Sequence, residues 1–249
     1  MISGHTALHF PVIDSTNREA RRRIEQGGAG PCVIYADRQS AGVGRRGRAW
    51  ESPLGNISCT VMQPLVGGLS TVGHHSFIYS TAIAHAANRF LPHKDARVKW
   101  PNDVMVGGKK LAGILLETAT APDNTTWLIA GFGVNVATVP VATTGALYLP
   151  TAMQVEGAMV DASALMAEVL TGVEKLQGTY ARDGFGPIRT AWLALAMGLG
   201  EPITVNLPDS SQLQGIFDSL DDNGTLLLDI DGQKRHINAG DVFIAPHAG

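Results

Sequence analysis

Cysteine is scarce in this sequence, and its placement does not suit a metal site or a disulfide framework. Cys32 and Cys59 are the only two cysteines, and neither is adjoined by a histidine or a basic residue. Isolated cysteines of this kind are typical of reduced, buried thiols in a cytoplasmic protein. Disulfide-stabilised secreted domains and thiolate enzymes are therefore disfavoured, and a cytoplasmic location is expected.

An excess of charge of either sign is also lacking. The 19 Lys and Arg residues nearly balance the 22 Asp and Glu residues, and the formal net charge is −3. No overall field therefore indicates a polyanionic partner such as DNA. The basic residues are nevertheless unevenly placed, in two groups: Arg38, Arg45, Arg46 and Arg48, and then Lys94, Arg97, Lys99, Lys109 and Lys110. This pattern favours local binding of a small anion.

A third absence is that of a segment suited to export or to a membrane span. Residues 1–5 lack the charged and apolar regions of a signal peptide. Residues 124–155 carry no charge, but they are interrupted by Asn135, Pro140, the Thr143-Thr144-Gly145 turn and Pro150. An uninterrupted helix of ~20 apolar residues is thereby excluded. We expect a buried strand followed by a loop, and no membrane association.

The residues present predict a larger α+β unit, residues 1–198, and a smaller all-β unit, residues 199–249. The larger unit has strand patterns at 7–13, 32–36, 57–62, 97–101, 110–117 and 127–136, and helix patterns at 16–27, 69–91, 161–176 and 187–197. After Gly200, short strands with turn residues between them predict a small antiparallel barrel. Their positions are 203–205, 213–217, 226–230, 235–237 and 242–244.

Two local interpretations concern the helices. Thr16, with Glu19 three residues later, fits a capping box at the start of the first helix, and Gly27-Gly28 fits its end. The amides at that start could bind a polar ligand group, or the side chains could merely cap. His74, His75 and His85 lie on or near the second helix without a metal-ligand partner, so solvated or capping histidines and no metal site are expected.

A glycine-rich loop with three arginines follows the second strand. Its Gly42-x-Gly44-x-x-Gly47 spacing matches the dinucleotide-binding fingerprint, but loop residues follow where that fingerprint needs an apolar helix. We therefore reject a Rossmann fold. Glycines permit close backbone approach, and guanidinium groups can bind phosphate or carboxylate oxygens. Trp50 beside the loop favours closure over an apolar ligand rather than a solvated basic loop.

The segment most indicative of a functional site is Lys99-Trp100-Pro101-Asn102-Asp103, which is followed by a Gly107-Gly108 turn and Lys109-Lys110. The turn predicts a hairpin that brings Lys110 close to Asp103. Such a pair is either a surface ion pair of little worth or part of a site that brings two anions together. Gly131-x-Gly133-x-Asn135 adds a strand that a ligand or backbone can approach closely, with one polar side chain.

These motifs, in this order and over nearly the whole chain, resemble those of biotin protein ligases. The matching residues are Asp14-Ser15-Thr16-Asn17, the Gln39 to Arg48 loop, Lys99 to Asp103, Lys110-Leu111-Ala112-Gly113-Ile114, Gly131 to Asn135 and Gly240-Asp241-Val242. The resemblance implies a class II synthetase-like core, a mixed or antiparallel sheet flanked by helices, with an SH3-like C-terminal barrel. Some members add an N-terminal helix-turn-helix repressor domain, for which we expect no room before Asp14.

The resemblance also implies a two-step reaction. Biotin and MgATP would give biotinyl-5'-AMP and pyrophosphate, and a lysine of a biotin carboxyl carrier protein domain would then take the biotinyl group. ATP and Mg²⁺ are the implied cofactors, and phosphates would hold the Mg²⁺, since no paired-carboxylate cage is visible. A homodimer is left open. Lipoate or octanoate ligases are the related alternative, and a noncatalytic carrier-binding module is the unrelated one.

Residue roles follow from the resemblance alone. Lys110, Asp103 and Arg45 would be catalytic. Biotin would be bound by Ser15, Thr16, Gln39, Gly42, Val43, Gly44, Trp50, Lys110, Gly113, Leu115 and Gly131. The nucleotide would be bound by Arg45, Arg46, Arg48, Trp50, Asn102, Asp103, Lys110 and Asn135.

Val43 departs from the family, which commonly carries a basic residue at this position. If the position acts through its backbone amide, the loss of side-chain charge matters little. We expect Val43→Arg to change the retention of biotinyl-AMP only modestly, as measured by the dissociation rate of the adenylate. A large gain in affinity would show that side-chain charge acts here.

Overall fold

The computed structural model describes residues 6–27, 30–141 and 148–244. Seven strands form one mixed sheet in the order β1-β2-β3-β7-β6-β5-β4. Their bounds are β1 Thr6–Ile13, β2 Cys32–Gln39, β3 Ile57–Pro64, β4 Arg97–Lys99, β5 Asp103–Val106, β6 Lys109–Thr120 and β7 Thr126–Val134. Only β1 and β2 pair in parallel, and the other neighbours are antiparallel. The expected α+β fold is confirmed.

Four helices cover the two faces of this sheet: α1 Thr16–Gln26, α2 Val72–Phe90, α3 Ala162–Asp183 and α4 Phe185–Leu193. On one face, α1 buries Ala20 and Ile24 against Ile34, Met62 and Ile129. Burial of a side chain such as Ile24 contributes about 1.5–3 kcal/mol. On the other face, α2 packs against the sheet, and α3 and α4 pack against α2. The seven strands are therefore held between helices.

The start of α3 agrees with the sequence interpretation. Asp161 is its N-cap, and the Asp161 carboxylate accepts a hydrogen bond of 2.8 Å from the Ala164 amide. An N-cap of this kind stabilises a helix by about 1 kcal/mol. The apolar face of α3 is buried at Leu165, Met166, Val169, Leu170 and Val173.

The start of α1 differs from the predicted capping box. Ser15 occupies the N-cap position, and no side chain caps the helix. Thr16 lies inside the helix, with its hydroxyl oxygen 2.8 Å from the Thr60 hydroxyl and 3.2 Å from Gln39 Oε1, while Glu19 pairs with Arg22 and Arg23. Long-range hydrogen bonds therefore replaced the local cap. Gly27 ends the helix as expected, with φ 77°, whereas Gly28 lies outside the described residues.

The expectation of solvated histidines was wrong for two of the three. His74 and His75 are buried, because α3 and α4 cover that side of α2, and only His85 is exposed. The His74 ring stacks on Phe185 at 4.0 Å between centroids, and burial lowers the pKa of His75 to about 4. Within the described ranges, no group of three or more His, Cys, Asp or Glu residues is placed to hold a metal ion.

Both cysteines are free and buried, as predicted. Cys32 lies on β2 and Cys59 on β3, and burial raises the pKa of both thiols. They are packing residues, since a raised pKa leaves little thiolate near neutral pH.

The C-terminal strands form a second, antiparallel sheet in the order β11-β10-β9-β8-β12. Their bounds are β8 Pro202–Asn206, β9 Gln212–Leu220, β10 Leu226–Ile230, β11 Gln233–Ile237 and β12 Asp241–Phe243. Trp192 of α4 contacts Phe217 of β9 edge to face, and the Trp100 indole donates to the Gly224 carbonyl. The five strands are confirmed, whereas an SH3-like closure and a boundary after residue 198 stay predictions.

The charge-free segment 124–155 contains β7, as expected, and its described residues after β7, 135–141 and 148–155, form no helix or strand. Its predicted turn at Thr143-Thr144-Gly145 lies outside the described residues. None of the helices in the described part of the chain is both long and apolar enough to cross a bilayer.

Candidate active site

A cavity lies over the middle of β6 and β7, between the start of α1, the glycine loop and the C-terminal sheet. Fifteen of the predicted site residues line it: Ser15, Thr16, Gln39, Val43, Gly44, Arg45, Arg48, Trp50, Asn102, Asp103, Lys110, Gly113, Leu115, Gly131 and Asn135. Residues far apart in sequence therefore meet at one place. Gly42 and Arg46 are the two predicted site residues that do not line this cavity.

A buried carboxylate flanked by two lysines stands at the floor of the cavity. Antiparallel pairing sets Asp103 opposite Lys99 on β4 and opposite Gly113 on β6. The Lys110 Nζ lies 2.6 Å from Asp103 Oδ1, and the Lys99 Nζ lies 3.1 Å from Oδ2. The Asp103 side chain is only 12% exposed. The alternative interpretation of Lys110 and Asp103 as a solvated surface pair is therefore excluded.

The charges at this cluster do not cancel. Burial alone would raise the pKa of Asp103, but the ammonium groups of Lys99 and Lys110 outweigh it and hold that pKa well below its usual range. One carboxylate thus faces two cations, which leaves a positive charge beside the cavity. The Lys110 side chain is 31% exposed and can reach a ligand, whereas that of Lys99 is 4% exposed.

The glycine loop is tied to the hairpin by Asn102. Arg45 donates to Asn102 Oδ1 at 2.9 Å, and Asn102 Nδ2 donates to the Ile114 carbonyl on β6 at 2.7 Å. Burial lowers the pKa of Arg45 from its ordinary value. A half-buried guanidinium next to the cavity is suited to an anionic ligand, because less water competes for it.

The other two loop arginines reach the C-terminal sheet. Arg46 and Arg48 lie 3.2 Å and 3.7 Å from the Asp241 carboxylate on β12. Arg46 adopts a left-handed conformation with φ 56° and does not line the cavity. In this conformation the structure assigns Arg46 to the ion pair with Asp241 rather than to the cavity wall.

Gly42 supports the loop instead of lining the cavity. The Trp50 amide donates to the Gly42 carbonyl at 2.9 Å, and Val43 bridges to Ala49. A Cβ at Gly42 would overlap the Trp50 carbonyl oxygen. Glycine is therefore needed here to close the loop.

Trp50 forms one wall of the cavity against the glycines of β6 and β7. A Cβ at Gly133 would overlap the indole, and one at Gly113 would lie 3.3 Å from it. The Lys110 Nζ lies 5.6 Å from the Trp50 ring centroid. The two glycines thus make space for an aromatic side chain; at Gly133, where the sequence suggested close approach of a ligand or backbone, the structure places the Trp50 side chain.

At one end of the cavity, Gln39 organises the start of α1. Its Oε1 accepts from the Thr16 amide at 2.9 Å, and its Nε2 donates to the Ser52 hydroxyl at 2.9 Å. These bonds fix both ends of the Gln39 amide. Ser15 and Thr16 are buried beside it, each 3% exposed. This end of the cavity is polar and rigid.

Sequence reasoning missed other residues of the cavity wall, among them Asn17, Glu51, Cys59, Lys99, Phe132, Gly133, Tyr148, Pro150 and Asp241. Lys99 could have been found, since it precedes Asp103 by four residues across a proline turn in a motif already singled out. Asp241 carried a weaker signal, because its ion pairs join distant parts of the chain.

Comparisons with known proteins identify the family of the chain. The profile of the Biotin/lipoate A/B protein ligase family matches residues 9–135, and that of the biotin protein ligase C-terminal domain matches residues 198–244. A biotin--[acetyl-CoA-carboxylase] ligase of Paracoccus denitrificans is 37% identical over 92% of this chain and 97% of its own. The bifunctional ligase/repressor BirA of Escherichia coli is 30% identical over 98% of this chain and 75% of its own.

Solved structures show the same fold. The biotin protein ligase of Aquifex aeolicus in complex with biotin and ATP superimposes with a TM-score of 0.79 at 20% identity, over 96% of this chain and 97% of that one. The profile matches and the 37% identical relative together decide the family. The chain belongs to the biotin protein ligase family.

Proposed function

We propose that this protein is an ATP-dependent ligase that activates biotin as biotinyl-5'-AMP and transfers it to a lysine of a biotin carboxyl carrier protein domain. The observation that carries the proposal is Lys110, held by the buried Asp103 and exposed to the cavity. The Paracoccus denitrificans relative, named as a biotin--[acetyl-CoA-carboxylase] ligase, supports the choice of acid and acceptor.

In the first step, a carboxylate oxygen of biotin attacks the α-phosphate of ATP, and pyrophosphate leaves. Two unit negative charges at 4 Å repel by about 4 kcal/mol in a surface-like dielectric. Lys110 would lower this repulsion by contacting both groups, most strongly in the transition state. Arg45, Arg46 and Arg48 would order over the adenylate and keep water from the mixed anhydride.

In the second step, the acceptor amine attacks the acyl carbon, and AMP leaves. Asp103 could serve this step as a base or by orienting Lys110. Both of its oxygens are already paired, with the Lys99 Nζ at 3.1 Å and the Lys110 Nζ at 2.6 Å. We therefore assign Asp103 the orienting role.

The remaining assignments concern the ureido ring and the nucleotide. Ser15, Thr16 and Gln39, with the Gly113 backbone, would hold the ureido ring, while Trp50 and Leu115 would line its apolar side. Asn102 and Asn135 would lie nearer the nucleotide.

Mg²⁺ would arrive with ATP as the MgATP substrate. Of the carboxylates that line the cavity, Asp103 pairs with two lysines and Asp241 with two arginines. Glu51 is left as a single carboxylate, which accepts from the Val141 amide at 3.2 Å. This donor set fits an ion held mainly by phosphate oxygens and water.

The setting of the reaction is also a proposal. Two free, buried cysteines suit the cytoplasm. β1 lies at the edge of the seven-stranded sheet, and such an edge could pair with a second copy in a homodimer. No DNA-binding role is proposed.

Pyrophosphate exchange into ATP tests the function directly. Exchange is expected with biotin and not with lipoate, octanoate or no added acid. Exchange with lipoate or octanoate would move the protein to the related ligases. Folded protein that supports no exchange would favour a noncatalytic carrier-binding module.

A further inference from the structure

A chain of polar side chains runs behind the polar end of the cavity, from α1 through β3 to β6. The Thr60 hydroxyl lies 2.8 Å from the Thr16 hydroxyl and 2.6 Å from Asn17 Oδ1. Asn17 Nδ2 donates to Glu117 at 2.7 Å, and Arg21 donates to the other Glu117 oxygen at 3.2 Å. Thr60 is fully buried and does not line the cavity. We call Glu117, Asn17, Thr60 and Thr16 the polar relay.

The donors and acceptors of the polar relay can point in only one direction. An ionised Glu117 carboxylate, paired with Arg21, accepts hydrogen bonds and donates none. The Asn17 amide must therefore direct its NH2 group to Glu117 and its oxygen to Thr60. Because that oxygen has no proton, the single hydroxyl proton of Thr60 goes to Asn17.

The consequence reaches the cavity through Thr16. With its own proton given to Asn17, Thr60 can only accept from the Thr16 hydroxyl at 2.8 Å. The alternative acceptor for Thr16, Gln39 Oε1, is farther away at 3.2 Å and already receives the Thr16 amide. The Thr16 proton is thus directed inward, and an oxygen lone pair is left for the cavity.

We infer that the polar relay makes Thr16 a hydrogen-bond acceptor for an N–H group of the ligand, which selects a cyclic urea over an acid that lacks this donor. Asn17, Thr60 and Glu117 are positioning residues for this selection. The inference rests on the proposed function, because the ureido ring of biotin supplies the N–H groups. Lipoate and octanoate have no such donor at the corresponding end.

Gly131 shows how closely the polar relay is fitted to the sheet. A Cβ at this position would overlap the Asn17 amide oxygen. Glycine on β7 therefore leaves room for Asn17 to bridge α1 and Glu117 across the sheet face.

The matched pair Thr60→Val and Thr60→Ser tests the polar relay. Valine keeps the shape of the side chain and removes the hydroxyl, whereas serine keeps the hydroxyl. Loss of one oriented hydrogen bond is expected to raise the KM for biotin roughly fivefold to tenfold in Thr60→Val. The kcat and the KM for ATP should change little, and Thr60→Ser should restore most of the KM. Thr204→Val on β8 controls for the threonine-to-valine change itself.

A binding cycle separates selection from simple stability. Calorimetry would compare the Kd of biotin with those of its two analogues methylated on one ureido nitrogen, for wild type and Thr60→Val. In one analogue the methyl group blocks the N–H that faces Thr16. For that analogue, the losses in binding free energy from methylation and from Thr60→Val should not add, because both changes remove the same hydrogen bond. Equal losses for biotin and for both analogues would overturn the inference.

Glu117 supplies a second matched pair in case Thr60→Val does not fold. Glu117→Gln keeps an acceptor for Asn17 and should bind biotin nearly as wild type does. Glu117→Met removes it and should weaken biotin binding several-fold with an unchanged KM for ATP; equal biotin affinity in both variants would contradict the polar relay. Wild-type protein that binds no biotin would overturn the proposed function together with this inference, whereas binding with additive losses would overturn the inference alone.

Discussion

Lys110→Ala is expected to lower biotin-dependent pyrophosphate exchange by at least about a hundredfold, the usual effect of removing a charge-stabilising donor. Both lysines of the buried cluster line the cavity, but Lys110 is the more accessible one, with a side chain 31% exposed against 4% for Lys99. The fold should persist, because Asp103 keeps its pairing with Lys99. Exchange kinetics and thermal unfolding of the same preparation would measure both effects.

The adjacent lysine offers a matched control. Lys109 is exposed and pairs with Glu156 at 3.2 Å, outside the cavity. Lys109→Ala removes the same charge one residue away and should retain near wild-type exchange. Near wild-type exchange in Lys110→Ala would contradict the catalytic role assigned to Lys110.

Asp103→Asn is expected to destabilise the protein by about 3–5 kcal/mol, the usual cost of removing one partner of a buried ion pair. Within the described residues, Asp103 is the only carboxylate that pairs with Lys99, whose side chain is 4% exposed. The substitution leaves a buried ammonium group without a counter-charge. Urea denaturation followed by circular dichroism would give the change in the free energy of unfolding.

The same substitution should alter the dependence of stability on pH. The pKa of Asp103 is lower in the folded protein than the ~3.9 of an unfolded chain. The carboxylate therefore contributes its full stability above pH ~5 and loses it as the pH falls below that value. In Asp103→Asn the decline on acidification should be shallower.

Asp231→Asn is the control for this pair of measurements. Asp231 is exposed and has φ 52°, a conformation that asparagine tolerates well. It should leave both the stability and its pH dependence near those of wild type. If Asp103→Asn behaved like Asp231→Asn, the buried cluster would not be the electrostatic centre described above.

The parts of the site that could be predicted from sequence are those fixed by local geometry. A Gly107-Gly108 turn between two strand patterns sets which residues face each other, so the closeness of Lys110 and Asp103 followed from a short stretch. The start of α3 at Asp161, the buried cysteines and the strands other than β5 were likewise accessible, since each depends on periodicity or on immediate neighbours.

The parts that were missed depend on contacts between distant segments. The Lys99 ammonium group lies 5.1 Å from the ring centroid of Tyr148, about fifty residues later in the chain. His74 and His75 are buried because α3 and α4, about a hundred residues later, cover them. The Thr16 hydroxyl does not cap α1 as predicted and instead contacts Thr60 and Gln39. The periodicity of the sequence does not specify these contacts between distant residues, which form only when the chain folds.

The ion pairs of Arg46 and Arg48 with Asp241 join the glycine loop to the last strand of the second sheet. During synthesis the loop emerges long before its partner. At ~5–20 residues per second, roughly 10–40 s separate the two segments. A nascent chain can thus fold its central sheet and already hold Lys110 against Asp103, while the loop has no anchor on β12. The order of synthesis therefore makes the anchoring of the glycine loop on β12 one of the last steps in the folding of the protein.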